Sequence, residues 1–345
     1  MNMPSTNKIS IDTLPTGKIS KCKASTHEIP VEKRTRWGEK PYYSLDYYLR
    51  QAFGEKVYKL ALDLNMTCPN RDGTLGTRGC IFCSQGGSGE FAAKGSSITG
   101  QIDSSIQFIH SHMKYTGDKY IAYLQSFSNT YAPVESLRKI YLEALSHPQV
   151  VGLSIATRPD CFSPDIYKLL EECRQIKPVW IELGLQTIHE RTARQIRRGY
   201  PLSCFENTVA KLRQIEIPVI THVILGLPGE SREDMLKTIF YLNEQHIQGI
   251  KLQLLHVLSG TDLAKELPHL TLLTRQEYVQ LIISCIAHLS PETVIHRLTG
   301  DGAGKLLLAP KWSLDKRGVL NDIAHGLKAQ QVYQGKFYSG GSYDY

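Results

Sequence analysis

Six short apolar runs punctuate the chain: VYKLALDL (57–64), YIAYLQ (120–125), VVGLSIAT (150–157), VWIELGL (179–185), PVITHVIL (218–225) and IKLQLLHV (250–257). Each has the length and branched, apolar character of a buried strand. Between them the apolar positions recur every three to four residues, as on an amphipathic helix, in ITGQIDSSIQFIHSHM, PVESLRKIYLEALSH, SPDIYKLLEECRQI, NTVAKLRQI and REDMLKTIFYLNEQ. Ser163 before Pro164, Ser231 with Asp234, and Thr274 with Glu277 are helix-start signals. Strands alternating with helices specify a parallel sheet, and right-handed crossovers curl it towards a barrel. The expected fold is α/β: a partial (β/α)6 TIM-like barrel over residues 36–260 with a C-terminal helical extension over 261–331. Residues 1–35 are polar and aperiodic and read as a flexible leader; the Gly/Tyr-rich residues 332–345 read as a flexible tail.

Composition changes this picture little. At 345 residues and 41% hydrophobic, the chain can bury a large core, and its net charge of +7 is only mildly basic. No stretch approaches the roughly 18 apolar residues of a membrane helix, and MNMPSTNKISIDTLP lacks the apolar core of a secretory signal. Eight cysteines without paired spacings fit a reducing compartment, so the expected location is cytoplasmic, with no membrane partner.

The chemistry concentrates in LDLNMTCPNRDGTLGTRGCIFCSQGG, which follows the first predicted strand and holds Cys68, Cys80 and Cys83. In parallel barrels the working residues sit where strands end. Three thiols with no fourth at a matching spacing describe a metal centre with one open position, and thiolates favour iron–sulfur clusters and zinc. Zinc would need a fourth ligand, from Cys161 or one of twelve histidines, and none stands at a zinc-like spacing. Three incidental thiols are the remaining alternative.

Cys80 and Cys83 flank Ile81 and Phe82, and this C-Φ-aromatic-C pattern resembles the radical S-adenosylmethionine (SAM) superfamily. The eleven residues between Cys68 and Cys80 are more than that superfamily's usual three, and resemble the branch containing the elongator catalytic subunit. The run YYSLDYYLRQAFGEKVYKLALDLNMTCPNRDG further resembles the bacterial family in that branch that includes the tRNA wobble-uridine enzyme MnmL. The resemblance spans about Trp37 to Ile323. It implies a barrel of the radical SAM type in which Cys68, Cys80 and Cys83 hold a [4Fe–4S] cluster that also chelates SAM. It further implies SAM contacts from Phe82 at the adenine, from Gln125, Ser126 or Asn129 at the amino group, and from Thr157 and Arg158 at ribose or carboxylate. Gly226, in ILGLPGE, matches the turn that meets adenine through its backbone. Glu182 and Gln186 flank Gly184 and are expected to face the interior as SAM contacts; a buried carboxylate wants a partner or a function. Cys22, Cys161, Cys173, Cys204 and Cys285 have no close partners and read as packing or surface thiols, and His222 reads as a hydrogen-bonded core residue.

The implied reaction is reductive cleavage of SAM, using an unidentified electron donor, with tRNA as substrate and partner. The implied conversion takes a carboxymethylaminomethyl group on wobble uridine to the aminomethyl form. Arg191, Arg194 and Arg198 are spaced to share one helical face, which would suit phosphates or merely be solvated. His296, Arg297 and Asp301, in a polar insertion, are further substrate candidates. No catalytic residue is assigned. A radical SAM enzyme acting on a small metabolite and a non-enzymatic metal or redox protein stand as rivals.

Overall fold

The structure, a computed structural model, describes residues 34–340 except 88, 96, 113–116, 301 and 303. The leader up to residue 33, Asp301 and the last five residues of the tail thus lie outside the described residues.

All six predicted strands form: β1 (Tyr58–Leu62), β2 (Tyr120–Leu124), β3 (Val150–Thr157), β4 (Val179–Gln186), β5 (Val219–Leu225) and β6 (Gly249–Leu254). The helices between them are α2 (Ile98–His112), α3 (Val134–Ser146), α4 (Pro164–Ile176), the short α5 (Glu190–Gln195), α6 (Leu202–Gln214) and α7 (Arg232–Glu244), with α1 (Leu45–Phe53) preceding β1. Beyond β6 come β7 (Val257–Leu258), α8 (Asp262–Glu266), α9 (Arg275–His288), β8 (Val294–Arg297), β9 (Leu307–Ala309) and α10 (Lys316–Ala329). The predicted starts hold. Ser163 caps α4 by accepting from the Ile166 amide, and Ser231 with Asp234 and Thr274 with Glu277 form reciprocal capping boxes.

The sheet has one strand more than expected. Its order is β1-β2-β3-β4-β5-β6-β8, with every pairing parallel. The seventh strand, VIHR, escaped the apolar pattern because His296 and Arg297 fill half of it. It comes from the segment expected to be helical extension, so that segment completes the barrel wall. Residues 332–340 also depart from the expected flexible tail. The Gln334 side chain accepts from the Tyr43 amide at 2.8 Å and donates to the Ser290 and Thr293 carbonyls, and the Phe337 amide donates to the Ala287 carbonyl at 2.8 Å. The sheet stays open, and each edge is partly covered: Ser44 pairs beside β8 and Ala93 beside β1.

Alternation along the strands separates two environments. Leu60 and Leu62, Ala122 and Leu124, Ile181 and Leu183, and Val223 and Leu225 face the helices and merge into the main core. The opposite positions face the barrel interior in layers two residues apart. At the bottom, Ile121, Trp180 and Ile220 pack with Val57 and with Leu49 of α1 as an apolar plug. Gly152 is required there: a Cβ on it would lie 2.5 Å from the Trp180 ring. One layer up, at Lys59, Tyr123, Glu182 and His222, the interior turns polar and opens into a cavity of about 1030 Å³.

Candidate functional site

The thiol loop leaves β1 and crosses the upper mouth of this cavity. Cys68, Cys80 and Cys83 all line it, together with Phe82. The loop turns at once, the Arg71 and Asp72 amides donating to the Cys68 carbonyl at 2.8 and 3.2 Å. Asn70 then ties it to the barrel: its amide group donates to the Arg197 carbonyl at 2.7 Å and lies 3.5 Å from the Cys80 sulfur. Gly79, at φ +71°, lets the chain pass over the Arg71 guanidinium, which a Cβ there would meet at 2.9 Å. Between the last two cysteines, Ile81 donates to the Ile196 carbonyl and accepts from the Leu263 amide at 2.9 Å. Ile81 and Phe82 rest on a small apolar cluster containing Ile196, Ile224, Leu255 and Leu263. Phe82 thereby presents its ring to the cavity beside the thiols.

Burial, and then the neighbouring Cys83, push the Cys80 thiol up to about 11; burial likewise raises Cys83. Such thiols are not thiolates at neutral pH unless a cationic centre holds them so. Among the described residues no three His, Cys, Asp or Glu side chains converge as they would on a single metal ion. A cubane offers each thiolate a separate iron corner, so its ligands stand apart. Three thiols on one cavity wall suit a cubane that leaves one iron open. Cys161, the nearest sequence candidate for a fourth ligand, is buried and is not part of the cavity wall.

The strand-end candidates divide. Gln125, Thr157, Arg158, Glu182 and Gln186 line the cavity, whereas Ser126, Asn129 and Gly226 do not. Asn129 is fully buried and bridges two strand ends by donating from its amide group to the Ala156 carbonyl at 2.8 Å. Ser126 is fully buried behind Gly89. Gly226 donates its amide to the Met235 sulfur at 3.0 Å. Arg158 lines the wall with its guanidinium engaged: it forks onto the Asp160 carboxylate at 2.8 and 2.6 Å and reaches the Arg198 carbonyl at 2.9 Å. Thr157 shares a 2.6 Å hydrogen bond with Thr130. Gln186 adopts a left-handed backbone, φ 69°, and its buried Oε1 has no partner. An unpaired buried acceptor on a cavity wall is a natural contact for a bound donor.

Glu182 belongs to a buried network that sequence reasoning saw only in part. Its Oε1 accepts from Lys59 at 2.6 Å and from Ser154 at 2.8 Å; its Oε2 meets the His222 Nε2 at 2.7 Å and pairs with Lys251. Lys251 also donates to the Tyr123 hydroxyl at 3.0 Å, and both ammonium groups lie against the Tyr123 ring, at 4.4 and 5.0 Å. Burial raises the Glu182 carboxyl, but Lys251, Lys59 and His222 together hold it well below the usual range. Burial, and then Lys251, depress His222 to about 4; burial lowers Lys251 to about 7 against the pull of Glu182. His296 and Arg297 reach the same cavity from β8. The missed residues, Lys59, Tyr123 and Lys251, carried a signal: polar groups at alternate positions of strands whose other positions are uniformly apolar.

The arginine stripe does not form. α5 ends at Gln195, and Arg197 adopts a left-handed backbone that breaks the helical spacing. Arg191 and Arg194 are exposed, but Arg198 is only 2% exposed and spends its guanidinium on the carbonyls of Leu185, Thr187 and Tyr200 and on Glu190. It lines the cavity wall as a structural tie, its guanidinium already engaged by protein groups.

A family model described as the Radical SAM superfamily matches residues 73–242, and one described as the Radical_SAM C-terminal domain matches residues 247–329. The Bacillus subtilis protein YtqA is 45% identical over 307 residues, 87% of this chain and 94% of that protein. This chain belongs to the radical SAM superfamily. A solved structure of Elp3 from Methanocaldococcus infernus shares the fold at a TM-score of 0.61 with 16% identity, over 81% of this chain and 64% of that one. A shorter match, 31% identical over 88 residues, 25% of this chain and 18% of its counterpart, is to tRNA-2-methylthio-N(6)-dimethylallyladenosine synthase of Thermobifida fusca.

The cofactors of this radical SAM chain are therefore a [4Fe–4S] cluster and SAM, and the residues present fit both. Cys68, Cys80 and Cys83 supply a three-thiol donor set with one iron left open, and Phe82, Gln125 and Gln186 offer an apolar face and polar atoms beside it. Bound there, the pair supplies reductive cleavage of SAM to methionine and a 5′-deoxyadenosyl radical. The chain's own contribution is to anchor the thiol loop through Asn70 and Arg71, to enclose the site in a walled cavity, and to floor that cavity with the apolar Trp180 plug.

Proposed function

We propose that this enzyme modifies tRNA, acting on a wobble uridine that bears a carboxymethylaminomethyl group and converting it to the aminomethyl form. The observation that carries the reading is the cavity. Its volume, about 1030 Å³, is at the upper limit of ordinary small-molecule sites, which leaves room for a nucleoside beside SAM. Its interior is cationic, as suits a substrate bearing negative charge. The resemblance of residues 42–73 to a tRNA-modifying family supports the same substrate. With the arginine stripe absent, tRNA contacts fall to other exposed cations around the mouth, and an external donor supplies the electron. Mass spectrometry of tRNA nucleosides from a deletion strain tests the proposal. The carboxymethylaminomethyl nucleoside should accumulate and the aminomethyl form should disappear. An unchanged nucleoside profile would remove tRNA as the substrate and leave a small metabolite.

A further inference from the structure

Among the described residues, the polar layer between the plug and the thiols sets two lysines against one carboxylate. Lys59 and Lys251 both converge on a single carboxylate, Glu182, which is fully buried. His222 spends its Nε2 on that carboxylate, and the buried Nδ1 of His296 has no partner. Arg297 is close enough for its charge to depress both Lys251 and His222. Beneath lies the apolar plug of Ile121, Trp180 and Ile220. An uncompensated charge in such surroundings is expensive, and the ordinary responses are loss of a proton or capture of a counter-ion.

We infer that the Lys59–Lys251 layer is a binding subsite for a carboxylate-bearing group of the substrate, seated in the barrel interior below SAM. Two ammonium groups, the Tyr123 hydroxyl and the His296 ring nitrogen form a donor set for two carboxylate oxygens. Glu182 acts as a positioning residue, holding both ammonium groups towards the cavity. Lys251, which burial brings to about 7, takes up a proton when an anion arrives. The inference deepens the proposed function and rests on it for the identity of the substrate, but the preference for an anion stands apart from tRNA.

The test uses the anaerobically reconstituted full-length protein with acetate as probe and acetamide as its neutral counterpart, followed by calorimetry and by NMR of labelled acetate. Acetate should bind with millimolar affinity, with proton uptake, and at least tenfold more tightly than acetamide. Because SAM has a carboxylate of its own, the titration is repeated with SAM present; acetate should still bind. Lys251→Gln and Lys59→Met should each weaken acetate at least tenfold, while Lys168→Gln on the outer surface should not. Equal binding of acetate and acetamide would overturn the inference without any variant, and competition between acetate and SAM would assign the layer to SAM instead. Should wild-type enzyme with reductant release no 5′-deoxyadenosine while acetate still binds, the radical reading fails and the anion site remains.

Discussion

Arg198 provides the sharpest test of how the thiol loop is held. Its guanidinium donates to the Tyr200 carbonyl at 3.0 Å, the Thr187 carbonyl at 2.7 Å and Glu190 at 3.0 Å, and it lies 4.8 Å from the Tyr200 ring centre. Its own carbonyl accepts from Arg158 at 2.9 Å and from Asn70 at 3.3 Å, so the same residue supports the segment that braces Cys80. Arg198→Gln is long enough to replace one of these contacts. It leaves at least one buried carbonyl without its charged donor, and Glu190 without its cation. An unsatisfied buried group costs about 1–3 kcal/mol, and loss of the pair with Glu190, which is 41% exposed, adds no more than about 1 kcal/mol. Glu190 keeps the Leu202 amide at 2.6 Å, so the deprived buried carbonyls dominate, about 3 kcal/mol. Anaerobic urea unfolding of the wild type and of Arg198→Gln, Arg191→Gln and Arg194→Gln measures this directly. The two exposed arginines should change stability by no more than about 0.5 kcal/mol. Arg198→Gln should lose about 3 kcal/mol and retain less iron after reconstitution. A loss below about 1 kcal/mol with full iron content would show that the guanidinium does not hold the loop. Weakened tRNA binding at unchanged stability would restore Arg198 to a phosphate-binding role.

Replacing Cys68, Cys80 or Cys83 by Ala should abolish iron and sulfide incorporation, whereas Cys161, Cys173, Cys204 and Cys285 variants should incorporate both normally; stoichiometric zinc in place of iron would defeat the assignment. Phe82→Ala should retain the cluster, because its backbone still links the two cysteines, yet weaken SAM binding about tenfold by removing the ring from the cavity wall; unchanged affinity would place the adenine elsewhere. His222, depressed from 6.5 to about 4, binds fewer protons folded than unfolded across that interval. Stability should therefore rise with pH between about 4 and 6.5, this group contributing about 3 kcal/mol to the change. His222→Gln should flatten the slope in that window, and an unchanged slope would mean that the acid sensitivity comes from other groups.

How much the sequence disclosed followed from how local each signal is. The six apolar strands and the three caps depend on short-range pattern, and they stand where expected. β8 was hidden because its pattern is interrupted by the very residues, His296 and Arg297, that it delivers to the cavity. The cysteines were legible because the loop is contiguous. Arg198 was misread because a helical spacing was extrapolated past Gln195, where Arg197 turns left-handed and the next side chain goes inward. Ser126 and Asn129 lie at the end of β2 but behind the wall, since the turn directs Gln125, Phe127 and Ser128 to the cavity and these two away from it. The network around Glu182 draws on all six strands β1 to β6, which had to be assembled before its partners could be named.

That network also separates what the fold needs from what the reaction needs. Two residues towards the bottom of the same strands, the interior is filled by Ile121, Trp180 and Ile220, which shows that this barrel accommodates a dry, apolar layer without difficulty. Replacing buried ion pairs by apolar side chains of similar volume is commonly neutral or stabilising, so a layer built only for stability would continue the plug upwards. Instead the chain places two lysines, a glutamate, a histidine and a tyrosine there, each lining the cavity. The arrangement works against stability, since burial drives Lys251 down to about 7 and His222 to about 4. Charges held at such expense are explained when they act on something the fold itself does not contain. The thiols at the mouth and the ammonium groups beneath them address two different ends of one cavity. With the cluster and SAM held at the thiols, Lys59 and Lys251 would fix the substrate's charged end from below and so limit which carbon comes within reach.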